Sequence, residues 1–300
     1  MAENPRISII VRTYNRPQRL HECLQSLARQ DFDTFEVVIV NDAGKDVAEI
    51  IPVELGSIPC QYIRNPQNRG RTAALNIGVE AARGRYIGFL DDDDVVYPHH
   101  LRTLAYAAFP ENRPVVYTDI INVVYQQDPQ THDWKRVQEQ LVYSFDFERD
   151  NFLLANYIPI TCLLIRRDCF ETTGPFDESL LIYEDWEYLI RLSRRYPFHH
   201  IRSITGEYRR RDDNSNIVEK TSYPINERVV KRRYRDDRDA VFDPIFKRTF
   251  EIQRAARASE AKAEQYVKQI QHYQAQLREA QRIITHMQQQ IRHLQAEKSP

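Results

Sequence analysis

The 300-residue chain is short of several things, and each shortage removes a class of protein. Its four cysteines, Cys23, Cys60, Cys162 and Cys169, contain no CxxC pair and sit in apolar or helical surroundings. That pattern speaks against a disulfide framework and reads as reduced packing residues of a cytoplasmic protein. A net charge of −1 gives no general attraction to nucleic acid or to an anionic membrane, so no nucleic-acid partner is expected. No apolar run reaches the length of a membrane span, and the opening Met1-Ala2-Glu3-Asn4-Pro5 lacks the apolar stretch of a signal peptide. Any membrane attachment is therefore expected to be peripheral, at the inner face. No GxGxxG follows any strand candidate, which argues against a dehydrogenase, and the turn Thr13-Tyr14-Asn15-Arg16 lacks the glycines of a nucleotidyltransferase's phosphate loop.

What is present, at 42% hydrophobic content, is enough for one sizeable core with a smaller appendage. Residues 7–11 are apolar apart from Ser8, and after the turn ending at Pro17, Leu20, Cys23, Leu24 and Leu27 recur at helical spacing. Residues 35–40 predict a second buried strand, ending at Asn41-Asp42-Ala43-Gly44, and residues 60–63 a weaker third. Residues 71–82 predict a helix in which Ala74, Leu75, Gly78 and Ala82 can pack closely, before a fourth strand over 86–90. This βαβαβ order predicts an α/β fold built on a parallel sheet with right-handed crossovers. The following stretch reads as α+β. It offers a helix over 99–109, extended chain over 115–125, a polar hairpin tip or loop over 126–136 and a strand over 162–165. A short helix near Asp168, a turn at Gly174-Pro175-Phe176-Asp177 and an amphipathic helix from Glu184 complete it.

Four consecutive aspartates, Asp91, Asp92, Asp93 and Asp94, close the fourth strand. Such strands end at the carboxyl edge of the sheet, where open α/β folds bind ligands. Crowded carboxylates repel one another and take up protons unless a cation sits among them. Mg²⁺ or Mn²⁺ suits that place, because hard divalent ions prefer carboxylate oxygens and leave coordination positions for phosphate. Taken alone, the run reads equally well as a solvated acidic turn, and Glu184-Asp185 as acidic residues favoured at a helix N-terminus.

Six segments in order carry a resemblance. They are Ile10-Val11-Arg12-Thr13-Tyr14-Asn15-Arg16-Pro17, Val38-Ile39-Val40-Asn41-Asp42-Ala43-Gly44, Asn68-Arg69-Gly70-Arg71-Thr72-Ala73-Ala74-Leu75-Asn76, Phe89-Leu90-Asp91-Asp92-Asp93-Asp94, Gly174-Pro175-Phe176-Asp177-Glu178-Ser179 and Tyr183-Glu184-Asp185-Trp186. Together they resemble the inverting glycosyltransferases of family 2, over residues 5 to about 216. The resemblance implies a GT-A fold: a nucleotide-binding, Rossmann-like mixed sheet with an α+β acceptor half. It implies that Asp42 accepts a hydrogen bond from the imide of uracil or a similar base, and that Thr13 and Arg71 line the nucleotide. Asp91 and Asp93 match the DxD pair, one meeting the ribose or sugar and both near the metal that bridges the diphosphate, with Asp92 and Asp94 in support. Asp185 matches the general base that deprotonates the acceptor hydroxyl. Where many relatives carry Tyr-Arg-x-His, this chain reads Tyr208-Arg209-Arg210-Arg211. A guanidinium cannot ligate a metal, so Arg210 and Arg211 are expected on the diphosphate instead.

The implied reaction moves a sugar from a nucleoside-diphosphate sugar to a saccharide or lipid-linked saccharide acceptor by single displacement, in cell-envelope or exported polysaccharide synthesis. Two alternatives stand beside it: a nucleotidyltransferase, and a catalytically inactive nucleotide-binding head on a coiled-coil scaffold.

The scaffold idea comes from the C-terminal stretch, which has no glycine after Glu251 and no proline before Pro300. Ile270, Leu277, Ile284 and Ile291 fall at heptad a positions, and Tyr266, Tyr273, Ala280, Met287 and Leu294 at d. This predicts a coiled coil over 251–297, joined by a helical or irregular connector over 217–250 to a transferase domain over 1–216. Mostly β-branched a residues favour two strands, so a homodimer is expected, although the Gln- and Arg-rich flanking positions do little to choose partner or orientation. A single helix folded back on the domain is the other possibility.

Overall fold

The computed structural model describes residues 5–211, 223–234 and 237, and the predicted heptads lie outside these residues. All the described residues except Asp237 belong to a unit that ends at Arg235.

β1 (Ile7–Thr13), α1 (Pro17–Ala28), β2 (Phe35–Asn41), α2 (Ile50–Leu55), β3 (Cys60–Arg64), α3 (Arg71–Ala81) and β4 (Tyr86–Asp91) follow one another along the chain. The four strands run parallel in the order β3-β2-β1-β4. Every residue of β1 and β2 is buried, because helices cover both faces, and this is why these strands read as unbroken apolar runs. On one face Leu20, Leu24 and Leu27 of α1 and Ile51 of α2 join Ile7, Ile9, Val11, Val37 and Ile39 in one core. On the other, Gly78 of α3 lies directly over Ile10, where any side chain would collide with it.

The chain continues through β5 (Val95–Val96), α4 (His100–Ala108), β6 (Val115–Gln127), β7 (Trp134–Tyr143), α5 (Arg149–Leu154), β8 (Leu163–Arg166), α6 (Asp168–Thr173), α7 (Glu184–Ser193), β9 (Phe198–Arg211) and α8 (Tyr223–Arg233). Here the sheet becomes mixed. β8 pairs antiparallel with both β4 and β6, β6 runs parallel to β9, β9 carries β5, and β7 joins through β6, giving a sheet of nine strands among the described residues. The polar stretch expected as a hairpin tip does connect β6 to β7. β7 itself has an exposed Lys135 to Gln140 stretch with no buried alternation, so only its ladder on β6 defines it. The strand expected from Cys162 starts one residue later, because Cys162 closes a short 3₁₀ turn. α8 falls in the stretch expected as a connector and packs on the same unit. Tyr234 just beyond it donates to Glu187 at 2.8 Å, and Arg233 pairs with Asp177 at 2.6 Å.

The pairing of β1 with β4 sets the site. Its register puts Arg12 beside Asp91, and neighbouring residues in a parallel pair point the same way, so both side chains turn to the α3 face. Thr13 and Asp92, one residue on, turn to the α1 face. The chain enters β4 through Gly84, whose backbone comes so close to β1 that a Cβ there would lie 2.5 Å from the Ser8 nitrogen. No helix of the described residues is long and apolar enough to cross a membrane.

Candidate active site

β1, β2 and β4 run parallel and end at one edge of the sheet, which brings Thr13, Asp42 and the four aspartates together. The backbone N–H of Asp42 donates to the Thr13 carbonyl at 3.0 Å. Its buried carboxylate accepts from Asn65 Nδ2 at 2.8 Å, from the Arg69 N–H at 2.9 Å and from the Gly70 N–H at 2.8 Å. Asp42 therefore folds the turn that leads into α3. Gly70 ends that turn with φ 93°, a conformation that a side chain would oppose. A carboxylate has about four acceptor positions and three are filled, so Oδ2 can take one further donor.

Alternation and the turn after β4 send the four aspartates apart. Asp91 is gripped by Arg12 Nε at 2.7 Å and Nη2 at 3.1 Å. Burial alone would raise its pKa, but the charges of Arg12 and Arg71 bring it down to about 2. Asp92 accepts from Thr13 Oγ1 at 2.7 Å and from Arg16 Nη1 at 3.2 Å, while burial and the charge of Asp93 lift it to about 6. Asp93 meets Arg16 at 3.0 Å and Arg19 at 3.5 Å. Asp94 is fully buried and accepts from Thr161 Oγ1 at 3.0 Å and from the Arg209 N–H at 2.9 Å. Burial, then Asp93, holds its pKa well above the usual carboxylate range. Asp91 and Asp93 are the more open pair, with side chains 22% and 17% exposed. Among the described residues no three His, Cys, Asp or Glu side chains form a group able to hold a metal unaided.

α7 brings the second set of carboxylates. Tyr183, just before it, has φ 64°, a left-handed conformation that is strained outside glycine and tends to occur where function demands it. Glu184 Oε1 accepts from Arg12 Nη1 at 2.6 Å and lies 3.0 Å from Arg71 Nε. Burial works against its charge, but Arg71 and Arg12 keep its pKa below the ordinary value. Among the described residues no cation is in contact with Asp185. It accepts from the Trp186 N–H at 2.7 Å and from Asn156 Nδ2 at 3.2 Å, and burial followed by the charge of Glu184 lifts its pKa to about 6. Two adjacent carboxyls pushed in opposite directions are the arrangement expected of a site that moves protons near neutral pH.

Of the two arginines expected on the diphosphate, Arg211 lies elsewhere. It is buried, reaches Glu22 at 2.9 Å and packs over the rings of Tyr125 and Trp134. Arg209 reaches the same Glu22 at 2.7 Å. Strand alternation puts Arg210 on the opposite face together with Tyr208, whose hydroxyl lies near enough to Asp94 and Asp93 for their charges, after burial, to raise its pKa. Arg12, Arg16, Asn156 and Glu184 belong to the site although no motif in the sequence marks them as functional. Arg12 did leave a signal, an arginine interrupting an apolar strand just before the turn. A cavity of about 820 Å³ lined by Glu80, Asp177, Glu187, Arg191 and Arg233 lies apart from this site. In its lining Arg191 pairs with Glu187 and Arg233 with Asp177.

Comparison with known proteins gives the same direction. The model of Glycosyl transferase family 2 matches residues 8–174, more than half of the chain. The uncharacterized glycosyltransferase YwdF of Bacillus subtilis (strain 168) is 33% identical over 193 residues, 64% of this chain and 69% of its own length. The crystal structure of S. aureus TarS 1-349 in complex with UDP-GlcNAc aligns with a TM-score of 0.60 at 21% identity, covering 75% of this chain and 65% of that one. The mannosyltransferase PcManGT from Pyrobaculum calidifontis, in complex with GDP-Man and Mn²⁺, aligns at 0.53 and 16% identity, covering 77% and 61%. Both structural likenesses are likenesses of fold, and the chain spans less than two thirds of either protein.

Proposed function

We propose that this chain, which belongs to glycosyltransferase family 2, transfers a sugar from a nucleoside-diphosphate sugar to an acceptor hydroxyl with inversion, using Asp185 as general base. One observation carries the reading. Asp185, a carboxyl lifted to about 6 with no ion pair among the described residues, stands next to Glu184, whose partner Arg12 also grips Asp91. The proton acceptor and the aspartates at the end of β4 thus share one network.

In this reading the donor lies along the sheet edge. Uracil and guanine both carry a ring N–H that the remaining acceptor position of Asp42 can take, so a UDP- or GDP-linked sugar is the expected donor. Thr13 acts through Asp92, which its hydroxyl orients, and Arg71 and Arg210 face the diphosphate. The residues present fit a divalent cation. Asp91, Asp92, Asp93 and Glu184 pair with four guanidiniums, those of Arg12, Arg16, Arg19 and Arg71, while Asp94 and Asp185 have no ion pair among the described residues, so carboxyls outnumber cations here. Asp93 would be the principal ligand, with Asp91 joining it to the extent that Arg12 releases it, and phosphate oxygens and water would complete the shell. When bound, Mg²⁺ or Mn²⁺ would stabilise the charge that grows on the departing diphosphate. Asp185 takes the proton of the acceptor hydroxyl as the hydroxyl attacks the anomeric carbon from the side opposite the leaving group.

The acceptor is proposed to be a saccharide or lipid-linked saccharide of cell-envelope or exported polysaccharide. Calorimetry with a panel of UDP- and GDP-sugars in the presence of Mn²⁺ tests the donor assignment. One of the panel is expected to bind, and failure of all of them would remove the transferase reading. The heptads support a division into a transferase domain over 1–216, a connector over 217–250 and a dimerising coiled coil over 251–297. Light scattering is expected to return the mass of a dimer, and a monomer at micromolar concentration would refute the self-pairing.

A further inference from the structure

We propose that Glu184 is a positioning residue for this reaction, which together with Arg12 ties Asp185 to the donor end of the cleft. The inference rests on the reading of Asp185 as base. Four charged groups from four elements close a ring: Arg12 of β1, Asp91 of β4, Arg71 of α3 and Glu184 of α7. Arg12 holds Asp91 at 2.7 Å and Glu184 at 2.6 Å, while Arg71 lies 3.0 Å from Glu184 and 3.7 Å from Asp91. The ring has an open side and a closed side. Asp91 and Arg71 are 22% and 27% exposed, whereas Arg12 and Glu184 are 8% and 2%.

Arg71 is the loosest member. Its Nε is buried near Glu184 without an aligned hydrogen bond, and its Nη2 stands beyond hydrogen-bond distance from Asp91. A guanidinium so placed is available to a phosphate, which it can grip through two parallel N–H groups. Arg12 cannot follow, because it is buried and its fork is already filled on both sides. A donor that draws Arg71 away leaves Glu184 with Arg12 alone, and the negative field of Glu184 on Asp185 then grows.

The groups that bear on Asp185 are few. Burial and Glu184 favour its protonated form, Arg71 and Arg12 oppose it, and the Trp186 N–H and Asn156 Nδ2 donate to it. Glu184 therefore strengthens the base when the donor is seated, without touching either substrate. The ring gives a physical reason for a buried arginine and a buried glutamate, Arg12 and Glu184, in a place where such networks contribute little to stability.

Glu184→Gln in the full chain tests this. The amide oxygen still accepts from Arg12, and the charge is gone. The acid limb of kcat/KM, expected near the raised pKa of Asp185 in the wild type, should move down by about one pH unit, as removal of a like charge dictates. Donor affinity by calorimetry should stay within about threefold, since the donor contacts are intact. An acid limb that stays in place while the melting temperature or plateau rate falls would make Glu184 merely structural and overturn the proposal. If Glu184→Gln does not fold, the wild type decides. The acid limb of kcat, which reports the donor-loaded enzyme, should lie above that of kcat/KM, and coincident limbs overturn the proposal. A wild type that binds no nucleotide sugar removes the underlying reading itself, and calorimetry separates that failure from the others.

Discussion

Asp185→Asn is expected to bind donor as tightly as the wild type and to turn over at least about 10²-fold more slowly. Asparagine keeps the shape, and its amide oxygen can still accept from the Trp186 N–H at the start of α7. The fold around it should hold, because Trp186 stays anchored through its Nε1 donating to the Phe152 carbonyl at 2.7 Å. Only the capacity to take a proton is lost. The wild-type rate should fall as pH drops through about 6, because Asp185, raised to that value, becomes protonated and can no longer act as base. Turnover of Asp185→Asn near the wild-type rate would leave Asp185 as a helix-end charge.

The second large effect is expected at Asp93. Asp93→Asn should weaken Mn²⁺-dependent binding of nucleoside diphosphate by about 10-fold or more, since it takes one of the few open carboxylates from the proposed cation. The fold should be unaffected or slightly firmer. Asp93 is the largest charge acting on Asp92 and Asp94 after burial, so neutralising it relieves two buried carboxyls that stand well above their usual range. Calorimetry with and without Mn²⁺ measures the first effect and urea unfolding the second. Equal nucleotide affinity of variant and wild type in the presence of Mn²⁺ would exclude Asp93 as a ligand.

The parallel half of the sheet was legible in the sequence because it is buried on both faces. Ile9, Val11, Val37 and Ile39 pack on α1 while Ile10 packs on α3, and such strands show unbroken apolar runs bounded by turns. Asp42, the aspartate run and Asp185 were legible because they sit where strands and a helix meet the open edge. What stayed hidden depends on register and direction. The Arg12–Asp91 contact exists because β1 and β4 are aligned residue for residue, and nothing local to either segment announces it. Arg211 turns to Glu22 because strand alternation sends it away from its neighbour Arg210. β9 is rich in His and Arg and looks unlike a strand, yet its long ladder on β6 makes it one. α8 has little apolar periodicity and is held by Val230, Tyr234 and Arg233. The heptads remain an expectation from sequence, since they lie outside the described residues.

A single displacement at the anomeric carbon, assisted by Asp185, sets the configuration of the product. It is tested most directly by proton NMR of the product formed from whichever sugar nucleotide the panel identifies, with a small soluble acceptor. Release of nucleoside diphosphate is expected to be matched by a glycoside of inverted anomeric configuration, with both signals lost in Asp185→Asn. A product of retained configuration, or one formed equally well by Asp185→Asn, would contradict it.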